Sequence, residues 1–449
     1  MSQALNETLS ETVSEQAWRW AYAGLLRLLT PLYLARLWRR GAAEPLYRQG
    51  LAQRLGFYPR PAEAADWVWI HAVSLGETLA AAALIQAMRE LNSQPAPASS
   101  SAPTRPPLRF LLTHSTATGR AAGQPLLQAG DAQAWLPYDT PGAVRRFLRH
   151  WRPRLGVLME TEIWPTLQFE ASRRALPMVL ASARLSARSQ RRGERFAALL
   201  HPAARRLSLV LAQTEADAQR LRASGAPVLQ VCGNLKFDLT PDAALLARGR
   251  QWRALLQQRQ VLLAAVTREG EEALLLQAWT QLPSAQRPLL LIVPRHPQRF
   301  DEVAALVRAA GFSLARRSRW PEQPDAAALA ADVWLGDSLR EMALYYALAD
   351  AALLGGSFAP LGGQNLIEAA ACGCPLVMGP HTFNFADAAE LALQAGAALR
   401  VGDMTQGLQA ALAVCADTAR QHTMARAAER FAAQHRGAAA RMAAEILQF

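Results

Sequence analysis

A carboxylate, a lysine and a glycine-rich loop carry the clearest chemistry in this sequence. The carboxylate is Glu77, in His71-Ala-Val-Ser74-Leu-Gly76-Glu77-Thr78. An acid at a strand-to-helix turn sits where the helix dipole favours an anion. From there it could take a proton from an acceptor hydroxyl within hydrogen-bond reach. Plain helix capping by Glu77, with His71 a satisfied strand-end residue, explains the same pattern. The lysine is Lys236, in Gly233-Asn234-Leu235-Lys236-Phe237-Asp238. Of 48 basic residues it is the one lysine, and the rest are arginine. A position that keeps Lys where Arg is the rule suggests a need for a compact ammonium on a flexible stem. Such a cation could neutralise charge developing on a phosphate. Chance survival is the rival reading.

The glycine-rich loop runs from Gly355-Gly356-Ser357 through Gly362-Gly363-Gln364-Asn365 to Leu366-Ile367-Glu368-Ala369. Its glycines permit close backbone approach, and free N–H groups at a helix start attract anions. Glu368, one turn into that helix, could accept from ribose hydroxyls. Together these suit a nucleotide-sugar donor, with structural packing as the alternative. Thr113-His-Ser-Thr-Ala-Thr-Gly-Arg120 offers hydroxyls and a guanidinium to phosphate or sugar, or simply caps a helix. In Glu160-Thr-Glu162-Ile-Trp164-Pro165, two carboxylates end an apolar strand, either as site residues or as a salt bridge. Arg184 and Arg188, at i and i+4, could grip phosphates from one helical face or be solvated. Pro294-Arg295-His296-Pro297 places Arg295 to meet a nucleotide phosphate or base. Gly336-Asp337-Ser338 opens a helix carrying Glu341.

These loops need elements to hold them. Apolar runs at 67–73, 108–114, 155–160, 178–182, 207–213 and 228–233 predict strands separated by helices. The pattern restarts at 261–266, 289–294, 333–336, 351–356 and 375–379. Continuous apolar strands between helices indicate α/β domains with parallel sheets covered on both faces. At 449 residues, two Rossmann-like domains are expected, joined near residue 240 and facing a central cleft that takes ligands at the strands' carboxyl ends. Two such halves describe the GT-B architecture, and they also describe some epimerases and phosphorylases. The expected divisions are an N-terminal helical segment at 1–60, an acceptor domain at 61–240 and a donor domain at 241–449. The Pro/Ser/Ala-rich stretch 92–107 reads as a surface insertion.

The formal net charge of +12 favours anionic partners. The segment 18–38 is apolar and aromatic, but Arg19, Arg27 and Arg36 interrupt it, which argues against a spanning helix. Eight Arg and a single acid, Glu44, lie between Arg19 and Arg60. That composition suits an anionic membrane surface, although an amphipathic helix packed on its own domain is the alternative. Aromatics do not interleave with a basic stripe, so no nucleic-acid partner is expected. No GxGxxG follows a strand, and no Walker A motif, zinc-ligand cluster or nucleophile elbow occurs. The four cysteines, Cys232, Cys372, Cys374 and Cys415, form no disulfide framework and fit a reduced setting.

In order along the chain, HAVSLGET, PYD (137–139), METEIWP, ARLSARS, GNLKFD, PRHPQRF and GPHTFNF (379–385) resemble the 3-deoxy-D-manno-octulosonic acid (Kdo) transferases. The resemblance runs from about Leu37 to Arg430. It implies an inverting GT-B enzyme on the cytoplasmic face of the Gram-negative inner membrane, moving Kdo from CMP-Kdo to the tetra-acylated lipid A precursor of lipopolysaccharide. The family's catalytic base falls on Glu77, and its transition-state stabilisers on Glu160 and Lys236. CMP contacts fall on Pro294 and Arg295, on Leu339, Arg340 and Glu341, and on Leu366, Ile367, Glu368 and Ala369. No metal and no cofactor is implied. Two departures stand out. Arg340 replaces a frequent Gly, and Leu366 replaces a frequent Pro, a residue pre-organised for a first helical position. Donor binding is expected to be adjusted by these changes rather than lost. A GT-B transferase with another nucleotide sugar and a phosphorylated lipid is the alternative enzyme, and a basic nucleic-acid-binding protein the alternative from another class.

Overall fold

The computed structural model describes residues 12–59, 65–93, 106–227, 229–238, 240–320 and 322–449. Most of the insertion expected at 92–107 lies outside the described residues. The chain forms two compact units, Met1–Asp238 with Arg436–Phe449, and Leu239–His435. The last residues, expected with the second half, therefore pack with the first.

The first unit is built on a seven-stranded sheet in the order β3-β2-β1-β4-β5-β6-β7. Its strands are β1 (Trp67–His71), β2 (Arg109–His114), β3 (Ala132–Trp135), β4 (Leu155–Met159), β5 (Met178–Ala183), β6 (Leu209–Ala212) and β7 (Leu229–Val231). All neighbours are parallel. Alternation along β1 sends Val68 and Ile70 into one core and Trp67 and Trp69 into the other. Helices cover both faces, which is why the strand runs are continuously apolar. Strand order reverses between β1 and β4, so the crevice for ligands opens at their carboxyl ends.

Val13–Arg40 is one helix, opened by a capping box between Thr12 and Glu15. It packs on this unit through Ala23 and through Arg19, whose guanidinium lies 3.6 Å above the centre of the Phe169 ring. Trp18, Trp20, Leu25, Leu28, Leu32 and Trp38 remain exposed on it. One face of the helix is packed on its own unit, as the amphipathic-helix alternative expects, and another is apolar and open. Among the described residues no helix is long and apolar enough to cross a membrane.

In the second unit the order is β10-β11-β9-β8-β12-β13-β14. The strands are β8 (Val261–Thr267), β9 (Leu289–Pro294), β10 (Leu314–Arg316), β11 (Val333–Leu335), β12 (Ala351–Leu354), β13 (Leu376–Met378) and β14 (Ala398–Arg400). All are parallel, and the order reverses between β8 and β12. Three short strands, β3, β10 and β14, carry no long apolar run and are not evident in the sequence. Each lies at a sheet edge, where pairing on one side only leaves it partly exposed.

Candidate active site

In the first unit the reversal brings three sequence-expected residues together. Glu77 lies in the first turn of helix Leu75–Ser93, which follows β1. Its carboxylate accepts from the Val73 N–H at 2.8 Å and from the Ser74 hydroxyl at 2.9 Å. It does cap its helix, but it is only partly buried, so the capping role leaves it open to a ligand. Burial pushes its pKa above the ordinary carboxylate range; Val73 and Ser74 pull it down, and the charge of Glu160 pushes it further up against that of Lys236.

Glu160 directly follows β4 and is buried. Its backbone is left-handed at φ 56°, costly for a residue with a Cβ. Its N–H donates to the Ala181 carbonyl on β5 at 3.0 Å. One carboxylate oxygen meets Lys236 Nζ at 2.8 Å and the other Arg184 Nε at 3.0 Å. Burial alone would raise its pKa, but the two cations outweigh it and hold the group below the ordinary range, ionised. Glu160 is therefore salt-bridged, which does not separate a site role from a structural one. Glu162 differs: burial first, then the charge of Glu77, pushes its pKa up to about 7.

Lys236 sits in the short turn Leu235–Asp238. Leu235 and Phe237 are buried, and the Lys236 N–H donates to Asn234 Oδ1 at 2.9 Å. Asp238 accepts from the N–H groups of Gly437 and Ala439, the latter at 2.7 Å. Asp238 thereby caps helix Ala438–Ile446, so the end of the chain locks the lysine turn in place. The expected pairing of Arg184 and Arg188 on one helix face is not seen. Arg184 precedes the helix Ala187–Gly193 and turns to Glu160.

Below Glu77, His71 is fully buried with Nδ1 at 3.0 Å from the Thr113 carbonyl, and burial pushes its pKa down to about 3. It is a neutral structural residue. Asp139 of the PYD motif accepts from the N–H groups of Thr166 at 2.9 Å and Leu167 at 2.8 Å. It therefore fixes the helix that follows the Glu160–Trp164 loop.

The second unit holds the residues expected to meet a donor. Pro294 ends β9, and Arg295 follows it, its N–H donating to the Thr267 carbonyl at 2.9 Å. Desolvation first, then the charge of Arg268, lowers the Arg295 pKa, while Glu368 opposes them. Glu368 is partly buried in helix Leu366–Ala371, whose Leu366, Ile367 and Ala369 are core residues. Those three can offer a ligand only their backbone. Leu339 is exposed, whereas Glu341 is tied to Arg317 at 2.8 Å and lies 3.7 Å from Arg248. Arg340 has φ 64°, the left-handed region where glycine is at ease and other residues are strained.

Not evident in the sequence is the part played by Glu271, in the first turn of helix Glu271–Thr280 after β8. Its buried carboxylate accepts four backbone N–H groups: Arg268 at 2.9 Å, Gly356 at 2.7 Å, Phe358 at 3.1 Å and Ala359 at 3.3 Å. Three N–H groups at the start of the glycine-rich loop, well before the helix start at Gln364-Asn365, are thus consumed. A Cβ on Gly355 would lie 2.2 Å from the Val266 carbonyl oxygen, so only glycine lets this loop close on β8. Among the described residues no group of His, Cys, Asp and Glu could hold a metal ion.

Two Rossmann-like units, each with polar residues at its topological switch, give the chain the GT-B type of fold. Solved structures agree on the fold: the Anabaena HepE protein in complex with UDP matches 86% of this chain and 100% of its own, with a TM-score of 0.56 at 17% identity. The family model for 3-deoxy-D-manno-octulosonic-acid transferases matches residues 49–239. A 3-deoxy-D-manno-octulosonic acid transferase of Bordetella pertussis is 47% identical over 94% of this chain and 97% of its own length. One of Haemophilus influenzae is 34% identical over 88% and 90%. The chain belongs to the Kdo transferase family of glycosyltransferases.

Proposed function

We propose that this enzyme transfers Kdo, with inversion, from CMP-Kdo to a hydroxyl of a tetra-acylated lipid A precursor, working as a peripheral protein on the cytoplasmic face of the inner membrane. The observation that carries this reading is the Glu77–Glu160–Lys236 cluster at the switch point of the first unit. Glu77 is the general base. It removes the acceptor proton as that oxygen attacks the anomeric carbon, and CMP departs with the electrons of the broken bond. A base must be ionised to act yet basic enough to take the proton. Partial burial raises its pKa above the ordinary carboxylate range and so makes it a stronger base than an exposed carboxylate. Glu160 and Lys236 supply a fixed charge pair beside it, pre-oriented and unable to relax away from the developing charge.

CMP-Kdo is assigned to the second unit, through Pro294, Arg295, Leu339–Glu341 and Leu366–Ala369. In this reading Arg295 and Glu368 contribute by side chain, and the buried Leu366, Ile367 and Ala369 by backbone only. Exposed Trp and Leu residues on helix Val13–Arg40, with their neighbouring arginines, support contact with an anionic bilayer. The test is Glu77→Gln, which keeps the shape and removes the base. Transfer should fall by about two to four orders of magnitude with unfolding unchanged. Near-normal transfer by a folded variant ends the general-base assignment.

A further inference from the structure

Strands β8 and β9 pair in register at Thr267 and Pro294. Arg268 and Arg295 are the next residue on each, so two guanidinium-bearing residues leave adjacent strands side by side. His296 follows directly. Like charges brought together at a strand end raise the energy of the empty site and favour an anion that joins them. Glu368 offsets part of this at Arg295. Glu269, 3.0 Å from Arg268 Nε, is more than half exposed, and such surface pairs are weak and readily exchanged.

Arg268 is also held with unusual care. A bulge at Ala265–Thr267 puts Val266 at φ 56°, a strained value for a β-branched residue, and re-aims the chain just before Arg268. The Arg268 N–H is then fixed by buried Glu271, the same carboxylate that gathers Gly356, Phe358 and Ala359 from the loop after β12. Because β8 and β12 flank the strand-order reversal, Glu271 binds together the two loops at the switch point. Those N–H groups, at the start of the loop after β12, are therefore not available to an anion.

We propose that Arg268 is a substrate-binding residue for the phosphate of the nucleotide-sugar donor, acting beside Arg295, and that Glu271 is the positioning residue that sets it there. The inference rests on the assignment of the second unit to a cytidine monophosphate donor.

The full-length enzyme is titrated with CMP and with cytidine, and KM is measured for CMP-Kdo and for the lipid acceptor. Arg268→Ala should weaken CMP binding by about tenfold to a hundredfold, the range for a charge-assisted hydrogen bond. Cytidine affinity and the acceptor KM should not move. Arg268→Lys should recover part of the loss, since a point charge still meets a phosphate. Glu271→Gln places an amide among four N–H donors and should raise the CMP-Kdo KM while sparing the acceptor KM. Unchanged CMP affinity in Arg268→Ala, or equal losses for CMP and cytidine, overturns the phosphate assignment. An unaltered CMP-Kdo KM in folded Glu271→Gln overturns the positioning role. Failure of the unmodified enzyme to bind CMP at all is a different result, and it rejects the donor assignment itself.

Discussion

Lys236→Met removes one of two cations from a buried carboxylate, and the consequence can be worked through. Glu160 would keep only Arg184, whose side chain is 40% exposed where that of Lys236 is 14% exposed. Breaking a buried ion pair costs ~3–5 kcal/mol when nothing else compensates, and with Arg184 remaining we expect ~2 kcal/mol. For a unit of this size that is a fall of ~4–8 °C in unfolding temperature. The pH dependence separates this cause from loss of packing. In the native enzyme Glu160 has a depressed pKa, so its stabilising contribution is present above the ordinary carboxylate value and lost as pH falls through the lowered one. Without Lys236, burial dominates and the folded pKa rises. The deficit of the variant should therefore be full at neutral pH and shrink on acidification, as the buried charge is neutralised. Urea unfolding followed by circular dichroism at about pH 7 and about pH 4 measures both quantities. A deficit that is the same at both pH values, or under ~0.5 kcal/mol at neutral pH, would refute the ion-pair account.

Lys236→Arg keeps the charge but sets a planar fork beside Arg184. Stability should change little and transfer should drop at least about tenfold; equal transfer rates mean that charge alone suffices. Arg340→Gly relieves a left-handed backbone at φ 64°, and should raise stability by ~0.5–1 kcal/mol after the entropy cost of glycine is subtracted; a loss of stability argues against strain at that turn. Replacing Trp18, Leu28 and Trp38 together by Ser should cut co-sedimentation with anionic vesicles at least about tenfold, each side chain bringing ~1–2 kcal/mol of apolar contact. Undiminished binding would place the membrane contact elsewhere. For the pH–rate profile, activity should be lost as pH falls through the Glu77 pKa, which burial lifts above the usual carboxylate range. An acid limb in kcat/KM at or below about 4.3 would contradict the assignment.

Much of this architecture is legible from residues alone. Strands buried on both faces must be apolar throughout, so most of them show as continuous runs, and the loops between them show as polar breaks. Edge strands β3, β10 and β14 escape notice because one-sided pairing relaxes that demand. The acid after β1, the acids after β4 and the glycine-rich loop after β12 could be placed at strand ends for the same reason. Glu271 could not be picked out. A Glu in the first turn of a helix is ordinary, and its meaning lies in four N–H groups, three of them more than eighty residues away.

The sequence by itself determined the class of fold, the order of the polar loops and, through runs such as METEIWP and GNLKFD, the family. It also determined that lysine occurs at a single place. Only the tertiary structure decided what that lysine meets. Its partner Glu160 is 76 residues distant, and its turn is clasped by the N-terminus of a helix formed from the last residues of the chain. Local pattern records what each segment must bury. Which charges meet is set by strand order, and strand order is a property of the packed sheet.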